Sequence, residues 1–411
     1  MIHQEKNDKK KTNLIWELIS KLNAQEKAAN STLMEFKIQE LEMGFQSPSS
    51  YNPSNSFFNR IQEIEESNVY KFIENSHWIL LSELRNKFSA EKVDQWLMKH
   101  LDIRVNNPYE EYSDIDKVWT AFLNVMLTIE NLLSYAPIYD RYFYEGLSEF
   151  EKNGVSYIEI RTLFPENICE DLQCSKTLST IEVAKLNQKT IDRFLKDHPN
   201  FCGVTLIYAP IRLRECFPNL VRGFDLVAQE DNGKPLIEFI NTLIQMKQMD
   251  PELKFVFHAG ETNWQGFSTD ENLIDAILLN TTRIGHGYAL LKHPILKKLV
   301  AEKNIAIETC PISNQVLGLV KDIRNHPASP LIAEGSTPLV ISSDDPGSWG
   351  ANGVSFDYYE AFMGLAGKHM DLRLLKQLFN NSISYSLLKP QEKEQCFNKF
   401  RNKWNNFMER L

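Results

Sequence analysis

The sequence predicts an α/β protein of the parallel TIM-type (β/α)8 barrel class, with one strand missing or hidden, preceded by an N-terminal helical extension. Two observations predict the barrel. From residue 155 onward, seven short β-rich runs alternate with longer stretches of helical periodicity, the pattern of repeated βα units around a parallel sheet. Three of those runs end in clustered polar residues, at the strand ends where such barrels carry their chemistry. A third observation predicts the gap: closure wants eight strands, because tilt and shear must match strand number.

Taken in order, the chain opens on a lysine-rich stretch too polar for a signal peptide. Leu14, Ile15, Leu18, Ile19 and Leu22 then recur at helical spacing, and Leu33, Phe36 and Leu41 predict a second amphipathic helix. A Ser, Pro and Asn-rich break over residues 46–55 places a boundary there. Residues 1–50 are therefore expected to form the helical extension and 51–411 the barrel. Residues 76–150 read as mostly helical, with Trp78, Trp96, Trp119 and Phe122 spaced for burial. The seven runs follow at 155–161, 203–209, 222–228, 253–258, 283–286, 305–310 and 339–343.

Composition narrows the function. With 411 residues and 43% hydrophobic content the chain can bury a large core. Its net charge of -9, with Lys and Arg scattered, leaves no electrostatic footprint for nucleic acid or an anionic membrane. No apolar run reaches the ~18 residues a membrane span needs, so a small-molecule substrate is expected. The 6 cysteines are too few and too irregularly spaced for a disulfide scaffold. Sequons at Asn30 and Asn280, and the triplet Asn380-Asn381-Ser382, would suit a glycosylated exterior.

The chemistry concentrates at three strand ends. Phe255-Val256-Phe257 runs into His258-Ala259-Gly260-Glu261, an imidazole and a carboxylate separated by small residues. Arg283-Ile284-Gly285-His286-Gly287 sets a histidine between two glycines. Leu339-Val340-Ile341-Ser342-Ser343 ends in Asp344-Asp345-Pro346. Alone, each histidine is more often structural, and the acid pair before proline more often a turn or cap. Together they keep the rhythm of the barrel: His258 to His286 is one βα unit of ~30 residues, and His286 to Asp344 is two. They fall on strands five, six and eight.

These motifs, in this order, resemble the metal and catalytic motifs of the adenosine deaminase family. The stretches His258-Ala-Gly-Glu-Thr-Asn-Trp264, Asn280-Thr-Thr-Arg-Ile-Gly-His286-Gly and Cys310-Pro-Ile-Ser-Asn-Gln315 are similar to its growth-factor, adenosine deaminase 2-like branch. The resemblance implies that His258 and Asp344 bind Zn2+, that Glu261 gives a proton to the purine ring and that His286 orients the attacking water. It implies that Asp345 holds the purine, that Ala228 occupies a substrate-contact position where the family usually has glycine, and that Trp119 and Trp264 face the substrate. For Trp119 and Trp264, packing is an equal reading. The implied reaction is hydrolytic deamination of adenosine or 2'-deoxyadenosine by a zinc-activated water, in a secreted homodimer joined through its N-terminal helices.

One departure bears on activity. The family's first strand ends in His-x-His, which supplies two further zinc ligands, and here no two histidines stand two apart. His77, beside Trp78, is expected to be a helix or surface residue. A catalytic zinc normally takes three protein ligands plus water, so weak or absent turnover is expected of this chain. The rival reading is an impaired isoform that acts as a nucleoside-binding or growth-factor-like signalling protein.

Overall fold

The computed structural model describes residues 35–37, 78–162, 164–165, 168–171, 174–207 and 211–410. The chain folds into two compact units, the first comprising Met1–Tyr142, Glu166–Ser179 and Gly347–Gly350, the second comprising Phe143–Pro165, Thr180–Pro346 and Ala351–Leu411.

In the first unit, strand β1 (Glu35–Lys37) pairs antiparallel with β2 (Trp78–Leu80), Phe36 opposite Ile79. This corrects the helix expected around Leu33, Phe36 and Leu41. A partner strand some forty residues downstream satisfies the backbone of Phe36, and such long-range pairing overrides local periodicity. Apart from Glu35–Lys37, the expected extension, with Leu14 to Leu22, lies outside the described residues, as does His77. Helices Leu81–Phe88, Ala90–Lys99 and Ile115–Leu132 follow, and Trp119 packs edge-on against Phe122. Cys169 and Cys174 form a disulfide.

The second unit carries the barrel rhythm. Strands β3 (Tyr157–Arg161), β4 (Gly203–Ile207), β5 (Val221–Phe224) and β6 (Lys254–Phe255) form one parallel sheet. A second parallel sheet joins β7 (His258–Ala259), β8 (Arg283–His286), β9 (Ala306–Thr309) and β10 (Leu339–Ile341). The two sheets share one stave, since Val256 N–H donates to the Phe224 carbonyl while Gly285 N–H donates to that of Phe257. All seven expected strands are present, each at its expected run. Among the described residues, no strand pairs with the outer edge of β3 or of β10.

Strands β8, β9 and β10 are buried along their whole length, as parallel strands covered on both faces must be. Phe255, Phe257, Ile284, Ile307 and Ile341 pack with Leu243, Leu273, Ile277 and Val300 from the helices into the main core. Between the strands, however, runs a buried ionic ladder in place of the usual branched apolar layers. Glu308 accepts from Arg283 at 2.5 Å and from Arg161 at 2.8 Å. Arg283 also pairs with Glu159 and donates to the Tyr385 carbonyl at 2.8 Å. Arg161 donates to Asp225 at 2.5 Å, carrying the ladder from strand to strand up to the site.

Candidate active site

Three strand ends converge in the second unit. After β7 the chain turns at Gly260, whose φ of +77° suits glycine, and presents Glu261. At the end of β8, His286 takes φ +59°, and Gly287 N–H closes on the Gly285 carbonyl at 2.8 Å to make a γ-turn. Beyond β10, Asp344 takes φ +55°. Left-handed backbone at a residue with a side chain costs on the order of 1–3 kcal/mol, and here it aims both groups inward. Gly285 is small for a separate reason: a Cβ there would meet the His258 backbone and ring at 3.2 Å.

The result is a cluster in which one ligand atom each of His258, His286 and Asp344 lies within 4.8 Å of the others. His258 Nδ1 sits 2.6 Å from Asp225 Oδ2, and its backbone N–H donates to Asp225 Oδ1 at 2.9 Å. Burial alone would push the Asp225 carboxyl up, but the charges of His258 and Arg161 outweigh it and hold it below the usual carboxylate range. An ionised Asp225 accepts a hydrogen bond from His258 Nδ1–H, so in the neutral ring the lone pair lies on Nε2, toward the cluster. Asp344 accepts from Ser313 Oγ at 2.7 Å and stands 3.7 Å from His286 Nε2.

Glu261 is 5% exposed. Burial pushes its carboxyl well above the ordinary range, and the charges of Asp344, Glu230 and Asp345 push further. Its Oε1 has no hydrogen-bond partner and lies 3.5 Å from His286 Nδ1, too far for one. Its backbone, by contrast, is clamped. Glu230 Oε2 accepts from Glu261 N–H at 2.5 Å, while its Oε1 accepts from Gly260 N–H at 3.0 Å and from Asn272 Nδ2 at 2.8 Å. Burial lowers His286 to about 4, against the opposing pull of Asp344, so its imidazole is neutral. Asp345 is half-buried, and burial with the neighbouring Asp344 charge pushes its carboxyl well up.

The structure thus brings together His258, Glu261, His286, Asp344 and Asp345. Ala228 is exposed in the loop after β5, and Trp264 is 54% exposed, edge-on to Phe267. Trp119 is 7% exposed in the core of the first unit. Two imidazoles and a carboxylate are the donor chemistry of a borderline divalent metal such as zinc. Asp225, Glu230, Asn314 and His326 are the supporting residues that sequence reasoning leaves without a role, although Asp225 and Glu230 stand in the same stretch after β5 as Ala228.

The adenosine deaminase family model matches residues 90–403, and the adenosine/AMP deaminase N-terminal model matches residues 19–73. The chain belongs to the adenosine deaminase family. It is 37% identical to an adenosine deaminase of Lutzomyia longipalpis, over 94% of this chain and 89% of that one. It is 42% identical to adenosine deaminase 2 of Sus scrofa, over 82% and 68% of the two chains. The Lutzomyia alignment runs for 458 positions, more than the 411 residues of this chain, so it passes positions where the relative has residues and this chain has none. Among solved structures, Arabidopsis ADAL complexed with GMP matches with a TM-score of 0.59 at 16% identity, covering 78% of this chain and 91% of that one. An amidohydrolase from Burkhoderia ambifaria with bound Zn matches at 0.57 and 18%, covering 69% and 79%. These two share the fold.

Proposed function

We propose that this chain carries the hydrolytic deamination site for adenosine and 2'-deoxyadenosine, with turnover reduced by an incomplete metal site. The observation that carries the reading is Glu261, a buried carboxyl with an unpartnered oxygen beside the His258, His286 and Asp344 cluster. A buried acid kept protonated near neutral pH is a proton donor awaiting a ring nitrogen.

In this reading His258 and Asp344 hold Zn2+, which when bound supplies Lewis-acid activation of a water at neutral pH. Glu261 delivers its proton to the purine ring, and the Glu230 clamp fixes where that proton is delivered. Neutral His286 orients the water, Asp345 holds the base, and Ala228 and Trp264 border the nucleoside. That no described strand pairs with the outer edge of β3 or of β10, together with the Lutzomyia alignment, supports loss of one stave and of its two histidine ligands. The Cys169–Cys174 disulfide and the exposed Asn280 sequon support an extracellular setting, and the homodimer through N-terminal helices belongs to the same proposal. No described helix is long and apolar enough to cross a membrane.

The test is zinc content per purified chain together with the fall in adenosine absorbance. Substoichiometric zinc with slow deamination is expected. Stoichiometric zinc with fast deamination overturns the impairment, and deamination of other substrates but not of adenosine overturns the reaction. The second reading, a nucleoside-binding signalling isoform, draws on the two-ligand metal site. Saturable inosine and adenosine binding without turnover would select it.

A further inference from the structure

We propose that Asn314 and His326 are positioning residues that lock His286 in its Nε2–H tautomer, so that this imidazole faces the cluster as a hydrogen-bond donor and is withheld from the metal.

The chain of hydrogen bonds begins at a donor of fixed identity. Helix Ala328–Glu334 starts with free backbone N–H groups, and that of Ala328 donates to His326 Nδ1 at 3.0 Å. His326 Nδ1 is therefore a bare acceptor, and the proton of its ring sits on Nε2. That N–H must find an acceptor, and the atom 2.9 Å away is Asn314 Oδ1. The carboxamide is now oriented, with its NH2 toward His286 Nδ1, also at 2.9 Å. His286 Nδ1 accepts, so its proton is on Nε2. Turning the Asn314 amide over would set its NH2 against the His326 N–H, donor to donor. His286, Asn314 and His326 are each no more than 3% exposed, so such a clash would sit where water has little access to relieve it.

Two consequences follow for the cluster. His286 Nε2, 3.7 Å from Asp344 Oδ2, presents a hydrogen and no lone pair, which leaves His258 Nε2 and the Asp344 carboxylate as the ligands on offer. As a donor, Nε2–H engages one lone pair of a water oxygen and so fixes the direction of the other. Only this orienting role rests on the proposed deamination; the tautomer rests on the hydrogen bonds.

The test uses the full metal-free chain labelled with 15N-histidine, with resonances assigned through the His286→Gln and His326→Gln variants. Long-range 1H–15N correlations are expected to show both rings neutral, Nε2 protonated and Nδ1 bare. A protonated Nδ1 on His286, or averaging between tautomers, overturns the proposal. Asn314→Asp removes the donor, so His286 Nδ1 should gain the proton and Nε2 its lone pair. Zinc titrated alone should then bind about 10- to 100-fold tighter, the scale on which groups behind a ligand tune metal affinity. A folded Asn314→Asp with an unchanged His286 spectrum and zinc affinity overturns it equally. Should that variant fail to fold, the unsubstituted spectrum decides. No turnover enters either measurement, so a chain inactive on adenosine leaves the result intact.

Discussion

The ladder between the strands and the mouth above it use the same residue types to opposite ends. In the ladder, Glu308 is shared by Arg161 and Arg283, and Arg283 is shared in turn by Glu159 and Glu308. In the mouth, Glu261 keeps a bare oxygen, Asp345 crowds Asp344, and His286 and Asp344 sit on left-handed backbone. Buried charge that is fully paired can serve as structure, whereas buried charge left short of partners is held ready for something else. The two regions meet at Arg161, which pairs with Glu308 on one side and Asp225 on the other, so the site inherits its orientation from the ladder.

The sharpest way to break that contrast is to cut the ladder. Arg283→Met takes from Glu159 its arginine partner and leaves Glu308 to Arg161 alone, and removing one partner from a buried ionic network costs about 3–5 kcal/mol. Denaturant unfolding should show that loss, and a change within about 0.5 kcal/mol would mean the ladder is not structural. Acid probes both regions. Burial would raise Glu308, but Arg161 and Arg283 more than compensate and hold its carboxyl far below the usual range. Its stabilising contribution is therefore present above the unfolded glutamate pKa and drains away as pH falls below it. His286 and His326 are each lowered to about 4 by burial. Between about pH 6.5, the unfolded histidine value, and about 4, the unfolded chain binds protons the native chain refuses, so stability falls as pH is lowered through that window. The raised carboxyls of Glu261 and Asp345 act in the opposite sense over the same window, so the test is a difference: the urea midpoint of metal-free His326→Gln should improve relative to the parent chain as pH is lowered from about 7 to about 4, and a constant difference would remove the case for a buried neutral imidazole there.

A smaller effect tests the junction. Asp225→Asn keeps the shape but surrenders the negative charge that holds His258 Nδ1–H, and groups behind a metal ligand are typically worth 10- to 100-fold in affinity. Zinc binding should weaken by about that factor while the unfolding midpoint moves less than in Arg283→Met. Equal losses in both measurements would mean that Asp225 belongs to the ladder alone.

The seven staves are legible in the sequence because strands buried on both faces leave apolar runs, as in Phe255-Val256-Phe257. The residues of the cluster stand out because His258 follows such a run directly and Glu261, His286 and Asp344 come within four residues of one. Their supports are not. Glu230 reaches Gly260 and Glu261 across about thirty residues of chain, and Asp225 reaches His258 across as many; periodicity carries no record of which loop meets which. His326 reads as a stray histidine because its meaning depends on Asn314 and on one backbone N–H. The strand at Phe36 is hidden for the same reason, since its partner Trp78–Leu80 lies far downstream.

The smallest expected effect concerns Trp264, the residue on which packing and binding divide evenly in the sequence. More than half exposed and touching Phe267 across a loop, it buries too little area to matter for folding. Trp264→Ala should shift stability within about ±0.5 kcal/mol, as surface substitutions do. If the indole instead borders the nucleoside, the same variant weakens inosine binding about threefold or more in a calorimetric titration, because an exposed aromatic face contributes on the order of 0.5–1.5 kcal/mol when a ring stacks on it. A loss of stability without a loss of affinity would return Trp264 to packing and leave the mouth with one wall fewer than proposed.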